Sequence, residues 1–265
     1  MLPDPLTLVV DSFPDPPALD VGVSHAVLLE VAEGNRGATL RLHRPADVVA
    51  FGRRDVAAPG YRQAIDAARH HGFAAVERLA GGRAAVFSQG TLAFSWAVPA
   101  RDPRRRVHDR FRHVAEILCR AFRLLGADAR IGEVPGEYCP GAYSISLGGR
   151  VKVAGIGQRL VRGAAHVGGV VVVSDAARIR DVLVPVYRAL GIAWNPATVG
   201  ELAAAVPGVE VGDVAAAITR VLAERHHLTR ASLPAETITR GQSLATQHVP
   251  AEGRRPSTRT TGLRH

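Results

Sequence analysis

Lysine is almost absent from this 265-residue sequence: of its 33 basic side chains, 32 are arginine and only Lys152 is lysine. Such a bias indicates that arginine has replaced lysine wherever a guanidinium serves equally well. A guanidinium does not replace a compact, strongly hydrated ammonium that carries a movable proton. Lys152 is therefore a candidate for chemistry, although an ordinary charge at the end of a strand would explain a single lysine equally well.

Other features are also scarce. The two cysteines, Cys119 and Cys139, are too few for a disulfide framework. The chain has no apolar run of about 18 residues and does not start with a charged segment followed by an apolar one. These absences predict a cytoplasmic protein without a membrane span. Paired zinc ligands are lacking as well, and no metal site is predicted.

The formal net charge of +9 suggests an acidic partner. Nucleic acid is the first class to consider, but aromatic residues make up only 5% of the chain. The sequence also has no helix-turn-helix pattern and no aromatic strip on which bases would stack. An acidic carrier protein suits the charge equally well, and a nucleic-acid partner is disfavoured.

A β-hairpin is predicted around Lys152. Residues 143–147 alternate between two faces, Gly148 and Gly149 form a turn, and residues 151–154 resume the alternation. Cys139 precedes this hairpin in a loop rich in proline and glycine. Because a nearby ammonium stabilises a thiolate, Cys139 is a candidate nucleophile.

At these residues the chain resembles a known superfamily. Residues 137–143 (EYCPGAY) and 149–158 (GRVKVAGIGQ) resemble the biotin/lipoate protein ligases and acyltransferases, which include lipoate-protein ligase A. The resemblance is closest to the branch of cysteine-dependent octanoyl and lipoyl transferases, which move an acyl chain between lipoyl-carrying proteins. It implies a thioester on Cys139, with Lys152 holding the acyl carbonyl oxygen and helping to keep the thiol deprotonated.

The resemblance also implies a substrate site on both sides of Cys139. Arg78 falls on the arginine position of the family, and residues 80–83 fall on its glycine-rich loop, although a Gly-Gly pair is more often a tight turn. His166 is expected in the wall of the acyl pocket, unless it is an ordinary structural histidine. The substrate-binding residues expected around a narrow apolar slot are Arg78, Gly81, Gly82, Arg83, Gly155, Ile156, Gly157, Gln158 and His166.

Helical and strand-like periods do not alternate regularly along the chain. This predicts an α+β fold with a largely antiparallel mixed sheet flanked by helices, and the resemblance implies the same fold. We predict a loosely ordered lead-in over residues 1–20, a biotin/lipoate ligase-like catalytic domain over 21–195, and a small helical C-terminal appendage over 196–229. The appendage is predicted to contain helices at 199–206 and 211–226. Residues 230–265 lack periodicity and are predicted to be a disordered tail.

Three functions remain open from the sequence. The first is an acyltransferase of protein lipoylation that needs no cofactor. It passes an octanoyl or lipoyl group through Cys139 to the lysine of a lipoyl-domain carrier, of the glycine cleavage H protein or 2-oxoacid dehydrogenase E2 type. The second is a lipoate-protein ligase that requires ATP, Mg²⁺ and Lys152 but not Cys139. The third is a non-catalytic protein that binds an acyl carrier or nucleic acid.

Two sequence differences bear on the ligase alternatives. The ligases carry a His-Asp pair where this chain has Phe87 and Ser88, which counts against ATP-dependent chemistry. A biotin ligase is disfavoured because residues 82–84 hold only a fragment of its Gly-Arg-Gly-Arg-type loop.

Overall fold

The computed structural model describes residues 5–251, which form two β-sheets with helices packed around them. The large sheet contains β1 (Leu6–Val9), β2 (Thr39–His43), β6 (Thr91–Ala100), β7 (Ala129–Ile131), β8 (Ile145–Leu147), β9 (Val151–Val161), β10 (Gly163–Val172) and β11 (Leu228–Arg230). The small sheet contains β3 (Val48–Phe51), β4 (Ala74–Glu77) and β5 (Ala85–Phe87). The helices are α1 (Leu19–Ala32), α2 (Arg53–Val56), α3 (Tyr61–His70), α4 (Val107–Leu124), α5 (Ala176–Ala189), α6 (Val211–Ala223) and α7 (Ala235–Ala245).

Most strand pairs of the large sheet are antiparallel. Its strand order is β11-β1-β2-β6-β10-β9-β8-β7, and only β1 runs parallel to its two neighbours. The small sheet has the order β4-β3-β5, with β3 parallel to β4 and antiparallel to β5. The predicted α+β class with a largely antiparallel mixed sheet is thus confirmed, as is the hairpin of β8 and β9 that carries Lys152.

The large sheet has two unlike faces because side chains alternate along each strand. One face packs α4 and α6 in a core that includes Leu40, Leu42, Phe94, Trp96, Val167, Val114, Leu118 and Ile218. The opposite face carries smaller and more polar residues, among them Arg41, Ser95 and His166, and α1 lies over it. A second core joins the small sheet to α3 and α5. The polar face of the large sheet is the one that contributes to the site described below.

The N-terminal segment differs from the loosely ordered lead-in that was predicted. Residues 6–9 form β1, which lies between β2 and β11, and Leu6, Leu8 and Val9 are fully or almost fully buried. Helix α1 already begins at Leu19. Burial in the sheet interior fixes this short strand despite the prolines and aspartates around it. Residues 1–4 lie outside the described part of the chain.

The C-terminal segment also differs from its prediction. Residues 235–245, expected to be disordered, form α7, which packs along α1. The two helices approach closely through glycines: a Cβ on Gly22 would stand 2.3 Å from the carbonyl oxygen of Gly241. Contact through small residues produces little apolar periodicity, so the sequence pattern did not indicate it. The rest of the predicted tail, residues 252–265, lies outside the described residues.

The predicted helical appendage is only partly helical. Residues 211–223 form α6, but the helix predicted at 199–206 is reduced to a single 3₁₀ turn, Leu202–Ala204. The carbonyl oxygen of Val173 binds the amide of Ala203, and this contact holds the turn against the end of β10. Within residues 5–251, no helix has both the length and the apolar character needed to cross a bilayer.

Candidate active site

Cys139 lies in the loop between β7 and β8 and has an unusual backbone conformation. Its φ of +43° lies in the left-handed region, which costs a non-glycine residue about 1–2 kcal/mol. A hydrogen bond from the Cys139 amide to the phenol oxygen of Tyr187 (2.9 Å) supports this conformation. Tyr187 in turn donates to the carbonyl oxygen of Ala84, also at 2.9 Å. The loop therefore holds the cysteine in a defined orientation at the expense of local strain.

The thiol of Cys139 faces donors from the segment between β4 and β5. The backbone amide of Arg83 lies 3.2 Å from Sγ, and the Arg78 guanidinium approaches it to 3.6 Å. Burial by itself would raise the thiol pKa. The positive charges of Arg78 and Lys152, together with the Arg83 amide, outweigh burial and hold the pKa of Cys139 below its usual value. The site thus favours the nucleophilic thiolate.

Gly82 makes this close approach possible. A Cβ on Gly82 would stand 2.9 Å from Sγ of Cys139 and 2.7 Å from Nη1 of Arg78. The φ of Gly82 is +125°, which side-chain-bearing residues rarely adopt. The neighbouring Gly81 amide donates to the carbonyl oxygen of Gln158, at 3.1 Å. The predicted glycine loop therefore packs against both the cysteine and β9.

Lys152 lies beside Cys139 but does not contact its sulfur. Its buried Nζ donates to Oε1 of Glu137 (3.0 Å) and to the carbonyl oxygens of Tyr138 (3.0 Å) and Cys139 (2.7 Å). These bonds use the three N–H donors of an ammonium. In this arrangement Lys152 fixes the backbone of residues 138 and 139 and places a positive charge near the Cys139 thiol.

Glu137 is a site residue that the sequence analysis missed. Its buried carboxylate accepts from the Val134 amide (3.1 Å), the Gly141 amide (3.0 Å), the Ser144 hydroxyl (2.5 Å) and Lys152. Three donors from the loop between β7 and β8, and a fourth from β9, converge on this side chain. Glu137 therefore shapes the loop that presents Cys139. A carboxylate two residues before a candidate nucleophile, with only one lysine available to pair with it, was the signal that could have revealed this role.

The remaining predicted residues have mostly supporting positions. The Arg83 side chain pairs with the fully buried Asp55 at 3.1 Å. The Gln158 side chain accepts from Arg110 (3.0 Å) and donates to the Val107 carbonyl (2.8 Å), which ties β9 to the start of α4. Gly155 lies under the Lys152 side chain, and Gly157 lies against Gly81. Ile156 packs against the core on the α4 face of the large sheet.

A cavity begins at Arg78 and runs between the two sheets under α1. The space enclosed between its lining residues is about 630 Å³, part of which is open to solvent. Of the residues predicted to bind substrate, Arg78 and His166 line it, together with Ala80 from the glycine loop. Further lining residues are Val48, Ala50, Val76, Leu79, Phe87, Phe94, Gly168 and Gly169. The slot is therefore built largely from the small sheet and β10 rather than from residues 155–158.

His166 is a buried, neutral member of this wall. Its Nε2 lies 2.9 Å from the Ser95 hydroxyl. Burial, helped by the positive charges of Arg78 and Arg159, lowers the pKa of His166 to about 3. A histidine with so low a pKa stays uncharged near pH 7, which fits a role in lining the pocket better than one in proton transfer.

Comparison with known families identifies this arrangement. Residues 16–223 match the family described as the lipoyl protein ligase A/B catalytic domain. The chain belongs to this family. The membership confirms the superfamily that residues 137–158 resemble, and it covers both the loop of Cys139 and the strand of Lys152.

Curated relatives of this lipoyl ligase family member are named octanoyl-GcvH:protein N-octanoyltransferase. The protein from Geobacillus kaustophilus is 29% identical over 195 residues, which cover 72% of this chain and 69% of the relative. The protein from Exiguobacterium sibiricum is 33% identical over 156 residues, which cover 59% of this chain and 56% of the relative.

Solved structures support the fold of this family. A lipoate-protein ligase A bound with ATP superposes with a TM-score of 0.74 at 20% identity, covering 92% of this chain and 95% of its own. The bipartite lipoate protein ligase from Thermoplasma acidophilum gives a TM-score of 0.73 at 20% identity, covering 92% and 93%. At this level of identity the likeness establishes the architecture alone.

Phe87 and Ser88, where the sequence predicted a departure from the ligase His-Asp pair, have structural contacts in this chain. The Ser88 hydroxyl donates to Oδ2 of Asp175 (2.9 Å), and the Gly90 amide reaches the same oxygen at 3.2 Å. Phe87 lies in the cavity wall. Ser88 thus holds the turn before β6 to the start of α5. Among residues 5–251, no group of three or more metal-ligating side chains is gathered in one place.

Proposed function

We propose that this chain is an acyltransferase of protein lipoylation that moves an octanoyl group through a thioester on Cys139. The observation that carries the proposal is a thiol of lowered pKa whose sulfur lies 3.6 Å from Arg78, a residue that lines a largely apolar cavity. The name shared by the curated relatives supports octanoyl as the acyl group. A lipoyl group has the same carbon count in its chain and remains a candidate cargo.

The first half-reaction forms the acyl-enzyme. The Cys139 thiolate attacks the acyl carbonyl carbon of an octanoyl-lysine amide on the donor protein, and a C–S bond forms. The C–N bond of the amide then breaks, and the departing lysine amine takes up a proton. The octanoyl chain would occupy the cavity, where burial of each methylene contributes about 0.8 kcal/mol.

The second half-reaction passes the acyl chain on. The lysine amine of a lipoyl domain attacks the thioester carbonyl and gives up a proton, so that a new amide C–N bond forms. The C–S bond breaks and regenerates the Cys139 thiolate. Over the two half-reactions, one amide is exchanged for another, and the proton released by the acceptor balances the one taken up by the donor.

The contacts of the charged groups indicate a different role for each of them. The Arg83 amide and the Arg78 guanidinium are the donors closest to Sγ. We therefore assign to them the stabilisation of the negative charge that develops on the acyl oxygen. Lys152, whose donors are engaged by Glu137 and two carbonyl oxygens, acts as a positioning residue that also lowers the thiol pKa. Glu137 positions both Lys152 and the loop that carries Cys139.

Two protein partners follow from the proposal. The relatives are named for a donor called GcvH, so we propose a lipoyl-carrying protein of the glycine cleavage H type as the donor. The acceptor is then another lipoyl domain, of the 2-oxoacid dehydrogenase E2 type. The net charge of +9 suits an acidic carrier domain.

The ATP-dependent ligase is the alternative that the fold family raises. Its phosphate would have to be held by amides of the glycine loop. In this chain the Gly81 amide is bonded to Gln158, the Arg83 amide to Cys139, and the sulfur stands where a Cβ on Gly82 would point. The loop therefore fits a thiol better than a nucleotide phosphate.

The function is tested in two reactions with an unmodified E2 lipoyl domain as the acceptor. One contains an octanoylated H-type carrier without ATP, and the other contains free octanoate, ATP and Mg²⁺ in place of that carrier. We expect ATP-independent transfer that Cys139→Ala abolishes. Cys119→Ala is the matched control, since Cys119 is a buried core thiol whose pKa is raised mainly by burial. Transfer of free octanoate that requires ATP and survives Cys139→Ala would instead establish the ligase.

A further inference from the structure

The far end of the acyl cavity is polar, in contrast to its walls. Asp20 and Ser24 on α1 line it with His43 at the end of β2, and each is at least nine-tenths buried. Arg41, fully buried beneath them, binds Oδ1 of Asp20 at 2.8 Å and the Ser24 hydroxyl at 2.7 Å. His43 Nε2 lies 3.6 Å from the same Asp20 oxygen.

Several atoms of this cluster keep unused hydrogen-bonding capacity. Among residues 5–251, Oδ2 of Asp20, Nδ1 of His43 and Nε of Arg41 find no partner. Burial, with help from the charge of Arg41, lowers the pKa of His43 to about 4, so its ring is neutral near pH 7. A hydrocarbon chain supplies no hydrogen bonds, and contact with such groups is unfavourable for both.

The strand order of the large sheet gives the distance from this cluster to the reacting end. The Arg78 guanidinium lies against Gly157 on β9, where an added Cβ would stand 3.1 Å from its Nη2. His43 is on β2, three strands away in the order β2-β6-β10-β9, which corresponds to about 14 Å. An extended acyl chain advances only about 1.25 Å per carbon, because C–C bonds of about 1.5 Å zigzag, so a chain that starts at Arg78 reaches the polar cluster at roughly ten carbons.

We propose that Asp20, held in place by Arg41, and the neighbouring His43 form a polar stop that sets the longest acyl chain the cavity accepts. The inference rests on the proposed function, because it takes the cavity to be the acyl site. Chains up to octanoyl end in the apolar part between Val48 and Phe87. Longer chains must push methylenes against the carboxylate and the imidazole.

Calorimetric titration with hexanoate, octanoate, decanoate and dodecanoate tests the stop without requiring turnover. For the unaltered protein we expect affinity to rise about fourfold per methylene up to octanoate and then to level off or fall. His43→Ala replaces the polar end with apolar space, so the affinity ratio of decanoate to octanoate should rise about tenfold. His43→Gln keeps a polar end and should retain the original profile.

Val48→Ala is the matched control, because it also enlarges the far end but leaves Asp20 and His43 in place. It should change the decanoate-to-octanoate ratio by less than about twofold. An equal rise in the decanoate-to-octanoate ratio for Val48→Ala and His43→Ala, or no rise for His43→Ala, would overturn the polar stop.

Should His43→Ala fail to fold, His43→Leu serves instead, and the ratio is expected to rise in the same direction. If no fatty acid binds at all, the acyl assignment of the cavity fails; if all bind without a length limit, only the stop fails.

Discussion

Replacing Lys152 with methionine should strongly destabilise the protein. The side chains of Lys152 and Glu137 are 1% and 0% exposed, so the variant leaves a buried carboxylate without its cation. Removing one partner of a buried ion pair costs about 3–5 kcal/mol. Methionine fills a similar volume, so the loss is chiefly electrostatic. Urea denaturation measures it as a fall in the free energy of unfolding.

Two companion variants make this experiment decisive. Arg150→Met removes an exposed charge from the same hairpin and should change stability by less than about 0.5 kcal/mol. Adding Glu137→Gln to Lys152→Met should recover part of the loss, because no uncompensated charge remains. A loss below about 1 kcal/mol for Lys152→Met, or a loss equal to that of Arg150→Met, would refute the view that this pair holds the loop.

Three further predictions concern the nucleophile and the helix pairing. The rate at which iodoacetamide alkylates Cys139 should reach half of its maximum at a lower pH in the folded protein than in the urea-denatured chain, because the fold stabilises the thiolate. A pH midpoint at or above that of the denatured chain would contradict this. Gly82→Ala should slow octanoyl transfer by at least about tenfold, since its Cβ would displace Sγ or Arg78, and unchanged rates would show the loop to be adaptable. Gly22→Ala should cost about 1–3 kcal/mol by separating α1 from α7, measured by urea denaturation. Gly212→Ala, which meets nothing within 4 Å in α6, should be neutral or stabilising, and equal losses would contradict the packing argument.

Local patterns predicted much of the fold and indicated Cys139 as the candidate nucleophile. Alternation around Gly148 and Gly149 indicated the hairpin, and a solitary lysine near a loop cysteine indicated a shared site. The structure does bring Lys152 to the Cys139 backbone, at 2.7 Å. The sequence pattern did not show that the ammonium binds a carbonyl oxygen rather than the sulfur, because that choice depends on the left-handed turn at Cys139.

The cavity could not be predicted in the same way. Its walls come from α1, the small sheet, β6 and β10, which are far apart in the sequence, and their facing sides depend on how the two sheets pack. Periodicity marks which side of a strand is apolar but not which other strand it faces. The polar end at Asp20 and His43 likewise depends on a helix crossing a sheet. The slot was expected at residues 155–158 on β9, whereas the neighbouring strand β10 lines the cavity.

A single-turnover chase tests whether the octanoyl group passes through Cys139. The protein is incubated with an octanoylated H-type carrier, separated from it, and mixed with an unmodified E2 lipoyl domain without ATP. We expect intact mass to show first one octanoyl group on Cys139, sensitive to hydroxylamine as a thioester is, and then the same group on the lipoyl domain. Transfer that proceeds with no acyl group ever on Cys139, or an adduct that the lipoyl domain cannot remove, would contradict it.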